Sequence, residues 1–218
     1  KVAPLYKEPT KIENLQYINN NQSLIIPGSA INGTMYYKVN EGNWTTNIPL
    51  AEKAGTYMVY YKVIGDENHY DTEEQSLTVV IEKAELTVTA DNITIEQYTD
   101  IPKLTFSTSG LQKEDVIIID PKLSLPITDS HTSGEYTIEI TGAQDDNYNI
   151  TYVAGKLTIT KHTECRGGVA LCNVKPICEI CLNEYGTPLE HSFTNYTYNE
   201  DATCTSFGTE TAVCDNCE

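Results

Sequence analysis

Two stretches of this chain read as copies of one another, and a repeat with a steady offset narrows the possible folds more than any other feature it carries. AGTYMVYYKVIGDENHYDTEEQSLTVVIEKA (54–84) and SGEYTIEITGAQDDNYNITYVAGKLTITKH (133–162) share one plan. Each runs Gly-x-Tyr, an alternating strand, a Gly, an acidic Asn-Tyr or Asn-x-Tyr turn, and a second alternating strand ending in Lys. Gly134 follows Gly55 by 79 residues, Gly142 follows Gly65 by 77, and Tyr148 and Lys161 each follow Tyr70 and Lys83 by 78. Two modules are expected, residues 1–83 and 84–161, meeting at Lys83–Ala84 with almost no linker.

Both modules read as strands. In the first, the alternating runs are 12–18, 23–28, 34–39, 56–64 and 75–82, and Tyr57, Val59, Tyr61 and Val63 share one face. In the second they are 85–90, 103–109, 134–141, 149–152 and 156–160. Val, Ile, Thr and Tyr dominate, which favours pleated, half-buried surfaces. With 15 Tyr against 3 Phe and 1 Trp, many rings are expected to pack while their hydroxyls stay wet. Leu111–Asp115 is the one segment that reads as a helical turn.

The formal net charge of −17 excludes a nucleic-acid surface, since nothing here could neutralise a run of phosphates. No segment is a basic arm: residues 1–83 carry 7 basic and 10 acidic side chains, 84–161 carry 5 and 12, and 162–218 carry 2 and 9. No apolar run approaches the roughly 18 residues that span a bilayer, so direct membrane insertion is not expected. The chain opens on Lys1 without a signal peptide and closes just after a Cys pair, which reads as a fragment of a longer protein.

On these residues a resemblance can be stated. GTMYYKVNEGNWTTNIP with AGTYMVYYKVIGDENHYDTE resembles a small Ig-like module found in tandem in bacterial surface proteins. ELTVTADNITIEQYTDIPKLTFSTSGLQKEDV, with the second copy of the repeat, resembles the bacterial MBG-type module, a small β-grasp-like unit. Tyr98-Thr99 stands where that family usually has Tyr-Gly. The resemblance implies an all-β fold: an Ig-like sandwich, an MBG-like module and a Cys-rich C-terminal segment. It also implies a monomeric stalk, spacer or adhesin, secreted or associated with the cell wall, with host glycan or protein as the partner to consider.

After Lys161 the composition changes. All seven cysteines lie in residues 165–217, in two similar arrays. The first is His162, Cys165, Cys172, Cys178 and Cys181; the second is His191, Cys204, Cys214 and Cys217. A Cys-x-x-Cys turn points two thiolates inward, and one further Cys with one His completes a closed Cys3His zinc site of structural type. The second array supplies that set. The first offers five candidates for four positions, and His191 could instead close it. Disulfides are the alternative for a Cys-rich extracellular segment, although seven is odd. The arrays are similar to Cys-rich repeats that follow Ig-like modules in surface proteins of Gram-positive anaerobes.

Other candidates are weaker. Asp66-Glu67-Asn68 and Asp145-Asp146-Asn147 could offer oxygens to calcium, but Asp and Asn favour such turns through local hydrogen bonding alone. Trp44 with Tyr36, Tyr37, Tyr60 and Tyr61 could form a sugar-stacking platform, yet alternation sends one Tyr of each pair into the core. The sequons at Asn21, Asn32, Asn43, Asn92, Asn149 and Asn195 follow from an Asn/Thr-rich composition. No nucleophile elbow, phosphate loop or His-Glu-x-x-His motif is present, so no enzyme activity is expected. The remaining possibilities are a glycan- or host-protein-binding module and an accessory region of a large secreted hydrolase.

Overall fold

The computed structural model describes residues 1–217. It is all-β, with no helix among the described residues. These residues divide into two compact units. The first comprises Lys1–Asn92, Lys103–Pro126 and Thr137–Lys156; the second comprises Ile93–Pro102, Ile127–Tyr136 and the chain from Leu157 on.

The first unit holds a four-stranded sheet in the order Leu15–Gln16, Gln75–Glu82, Gly55–Gly65, Gly33–Val39. The central ladder is antiparallel, from Gln75↔Tyr61 to Ile81↔Gly55 and from Gly33↔Gly65 to Val39↔Val59. Because side chains alternate across a strand, one face buries Met35, Tyr37, Val59, Tyr61, Val63, Val79 and Ile81. Two- and three-residue strands flank this sheet, pairing Leu5–Lys7 with Ser29–Ile31, Thr10–Lys11 with Ile25–Ile26, and Gln22–Ser23 with Leu50–Ala51. A three-stranded sheet follows, with Ala84–Ala90 between Phe106–Ser109 and Tyr148–Val153. Its buried face carries Leu86, Val88 and Ala90.

The second unit pairs Ile93–Glu96 in parallel with residues 157–160, the end of the strand Gly155–Thr160. Ala84 faces Tyr148 in the first unit and Ile93 faces Leu157 in the second, an offset of 64 residues in both. Farther on, Tyr196–Tyr198 and Glu210–Ala212 form an antiparallel pair.

The repeat seen in the sequence recurs as hydrogen bonds. Tyr57 Oη donates to the Lys53 carbonyl at 2.7 Å and Tyr136 Oη to the Thr132 carbonyl at 3.0 Å, each four residues back. The two acidic turns are likewise the same: Asn68 N–H donates to Asp66 Oδ1 at 2.9 Å, and Asn147 N–H to Asp145 Oδ1 at 2.8 Å. The expected helical turn at Leu111–Asp115 is instead a β-turn closed by Asp115 N–H to the Gln112 carbonyl. Glu114 sits at φ 63°, a left-handed conformation that a right-handed helix does not admit.

That turn contributes to a packed junction between the two sheets of the first unit. Tyr17 and Tyr148 meet edge to face at 5.4 Å, and both hydroxyls donate to Asp115 Oδ2, at 2.8 and 2.7 Å. Asn147 adds its carbonyl to Ala84 N–H and its side-chain oxygen to Ala54 N–H. Burial opposes the Asp115 carboxylate, but the Tyr148 and Tyr17 hydroxyls and the Val116 N–H hold it below the usual range. Burial and the Asp115 carboxylate push Tyr148 up to about 12, and the same two causes raise Tyr17. A lowered carboxyl adds stability above its unfolded pKa and loses it as pH falls through the folded value; the raised tyrosines add stability that is lost in strong alkali. Replacing Asp115 with Ala is expected to cost about 2 kcal/mol at pH 7, the scale of hydrogen bonds to a charged acceptor. Denaturant titration should show that deficit shrinking as the pH falls below about 4, where the wild-type carboxyl protonates; a deficit unchanged at pH 3 would assign the loss to packing.

Candidate metal centre

Beyond Lys161 the described residues bury almost nothing apolar: of all core side chains, only Cys172 and Cys178 lie there. Both belong to clusters. His162, Cys165, Cys178 and Cys181 form the first, and Cys172, His191, Cys214 and Cys217 the second; within each, the ligand atoms all lie within 4.8 Å of one another. In the first, Cys165 and Cys181 Sγ are 3.6 Å apart, and Cys178 Sγ is 3.7 Å from His162 Nε2. In the second, Cys172 and Cys214 Sγ are 3.3 Å apart, and Cys217 Sγ is 3.7 Å from His191 Nδ1. All seven cysteines are free thiols. A tetrahedral ion with bonds of about 2.3 Å separates two sulfurs by about 3.8 Å, so both groups could hold a metal ion.

One backbone frame builds both clusters. Glu179 N–H donates to the Arg166 carbonyl at 3.0 Å, and Asp215 N–H to the Ser192 carbonyl at 2.8 Å. Each bond joins the residue after the first Cys of a Cys-x-x-Cys to the residue after Cys165 or His191. Cys165 and His191 are therefore equivalent, and each frame supplies three ligands. The fourth comes from outside the frame: His162 in the first cluster and Cys172 in the second.

The frames also set the charge of the sulfurs. Burial opposes a thiolate at Cys178, but the N–H groups of Cys181, Ile180 and Arg166 outweigh it and bring the thiol down to about 5. At Cys214 burial is again outweighed, here by the N–H groups of Asn216 and Ser192, with Cys172 and His191 assisting, and the value falls to about 6. Their neighbours move the other way. Cys165, beside Cys178 and then by burial, is pushed up to about 12, and Cys172, beside Cys217 and then by burial, also to about 12. Each cluster thus holds one ready thiolate and shares protons among the rest, which a bound cation would displace.

His162 is oriented from a strand. Its side chain is 7 % exposed, and its Nδ1 lies 3.0 Å from Glu96 Oε1, at the end of Ile93–Glu96. Gln97 Oε1 accepts from His162 N–H and Glu96 Oε1 from Thr163 N–H, while Tyr98 meets the imidazole edge-on at 6.1 Å. A carboxylate on Nδ1 fixes the tautomer that leaves the Nε2 lone pair facing the thiols. Nothing in the spacing of the cysteines signals Glu96, which lies 66 residues before His162. In the second cluster Asn173 Nδ2 lies 3.2 Å from His191 Nε2, leaving Nδ1 toward the thiols.

The structure sorts the nine linear candidates differently from their order along the chain. Cys172 stands with the second frame, and its exclusion resolves the surplus of the first array. Cys204, which the linear arrangement assigns to the second set, is exposed in the Thr203–Ser206 turn and stands outside both groups. It cannot reach because that turn is closed on itself, with Thr203 N–H bonded to the Ser206 carbonyl at 3.1 Å. In the acidic turns, Asp66 and Asp145 direct a side-chain oxygen to their own backbone. Of the aromatic group, Tyr37 and Tyr61 are core, whereas Trp44 and Tyr60 lie on the other face with Lys38 and Lys62 over their rings at 4.4 to 5.0 Å.

An MBG domain of the YGX type is found at residues 86–158. That span takes in Glu96 and Tyr98 and ends four residues before His162. Among curated proteins none matches the chain. After loading the reduced protein with zinc or cobalt, Cys178→Ser and Cys214→Ser are each expected to lose one bound ion per chain, and Cys204→Ser none. Elemental analysis after desalting reads this directly, and a loss on removing Cys204 would contradict the ligand sets.

Proposed function

We propose that this chain is a non-catalytic stalk or adhesin segment of a secreted or cell-surface bacterial protein, its β modules followed by a segment that two structural zinc ions hold together. The observation that carries this reading is the near-absence of an apolar core beyond Lys161, in the same stretch where eight ligands gather into two closed groups. A polar segment of that size needs cross-links to fold, and metal binding supplies folding free energy directly.

Zinc suits the donors better than other ions. Three soft thiolates and one imidazole in a compact group favour a tetrahedral ion without redox chemistry, and hard cations prefer oxygen. Four protein ligands leave no position for water or substrate, so each ion would be structural. Nor does the rest of the chain assemble a nucleophile with a base and an oxyanion site: the phenols of Tyr17 and Tyr148 and the Asp115 carboxylate are spent on a joint. The MBG domain supports a surface-protein setting, and the bonded junction at Tyr17, Asp115 and Tyr148 suits an element that resists bending.

On the purified, reduced chain the expected content is about two zinc ions with seven titratable thiols once the metal is removed. Small-angle scattering should give an elongated particle, and strong chelators should release the zinc and expose residues 162–217 to protease. Metal-free protein with fewer than two free thiols would replace zinc by disulfides. A compact scattering envelope would remove the stalk.

A further inference from the structure

The two clusters take their fourth ligand in the same way, from the piece of chain that precedes the frame. His162 follows directly on the strand Gly155–Thr160, whose end pairs with Ile93–Glu96, and it is held by the Glu96 carboxylate. Cys172 lies between Cys165 and Cys178, inside the loop that the first cluster closes. That loop is bonded to the first frame: Gly168 N–H donates to Glu179 Oε1 at 3.2 Å, and Tyr185 Oη to the Gly167 carbonyl at 2.6 Å. It is bonded onward too, since Leu189 N–H donates to the Leu171 carbonyl at 3.1 Å, two residues before His191.

From this arrangement we infer that the two metal sites are linked in series. The first ion fastens the Cys-rich segment to the strand pair of the MBG domain through His162, with Glu96 as its positioning residue, and the second ion fastens the next frame to the first through Cys172. The inference rests on the zinc reading and adds an order of connection and a coupling to it. Closing the loop from Cys165 to Cys178 removes the freedom of Cys172, so the first ion lowers the entropy cost of binding the second. By linkage the second strengthens the first by the same factor, on the order of 10-fold for couplings of ordinary size. Cobalt or cadmium, which accept the same donors, would load with the same coupling.

The test uses the whole reduced chain. At half-saturation with zinc, native mass spectrometry should show mainly empty and doubly loaded protein, with the singly loaded form depleted. Cys172→Ser, and independently Cys217→Ser, should bind one ion, about 10-fold more weakly than the first site of the wild type. In that single-site background, Glu96→Ala should weaken cobalt binding by about 10- to 100-fold and alter the visible cobalt spectrum, and Glu96→Gln, which still accepts from Nδ1–H, should restore most of both. Hydrogen exchange in Ile93–Glu96 should slow when the single ion binds. A statistical mixture of empty, single and double species, or unchanged binding in Glu96→Ala, would overturn the series link and leave the zinc reading standing. Failure of the reduced wild-type chain to bind any ion would overturn both.

Discussion

A polar segment of some fifty residues that buries almost no apolar side chain has to be cross-linked to keep a fold, and this constraint organises the C-terminal part of the chain. The only core side chains there are Cys172 and Cys178, both members of the ligand groups. Everything else in the segment serves to bring four donors together twice: the Glu179–Arg166 and Asp215–Ser192 backbone bonds, the N–H groups around Cys178 and Cys214, and the carboxylate behind His162. Backbone donors stabilise a thiolate without adding a competing positive charge, which leaves the sulfurs basic enough to bind a cation.

The β modules meet their stability requirement differently. Alternating Val, Ile, Leu and Tyr residues fill the inner faces of their sheets, and the chain closes on itself by parallel pairing at a constant offset. Close approach is part of that closure. A Cβ on Gly155 would stand 2.6 Å from the Ala90 carbonyl oxygen and 2.9 Å from that of Asp91, so the parallel strands could not lie together with any larger residue there. At the junction, a carboxylate between two phenols does what a linker of defined length cannot, because it is satisfied only in one arrangement of Tyr17 and Tyr148.

Much of the fold was legible from alternation and repetition. The strands Gly55–Gly65, Gly134–Thr141 and Gln75–Glu82 follow runs whose inner residues are regularly apolar, and their turns contain the Gly, Asp and Asn that such turns require. The two-residue strands were not legible, since pairs such as Gln22–Ser23 with Leu50–Ala51 exist only because two distant segments meet. Nor was the turn at Glu114, where good helix formers are overridden by a carboxylate that must reach two tyrosines.

Sequence by itself determined the periodicity, the all-β character and the chemistry of the C-terminal donors, because alternation, turn residues and Cys-x-x-Cys pairs are local and carry their meaning in a few positions. Tertiary structure alone decided which donors face one another. Cys172 and Cys204 occupy similar places in the two arrays and similar four-residue turns, Leu171–Val174 and Thr203–Ser206, yet only Cys172 lies within a ligand group. The difference is set by what each turn packs against. Glu96 shows the same rule from the other side: it stands far from every cysteine in sequence, and parallel strand pairing carries it to His162.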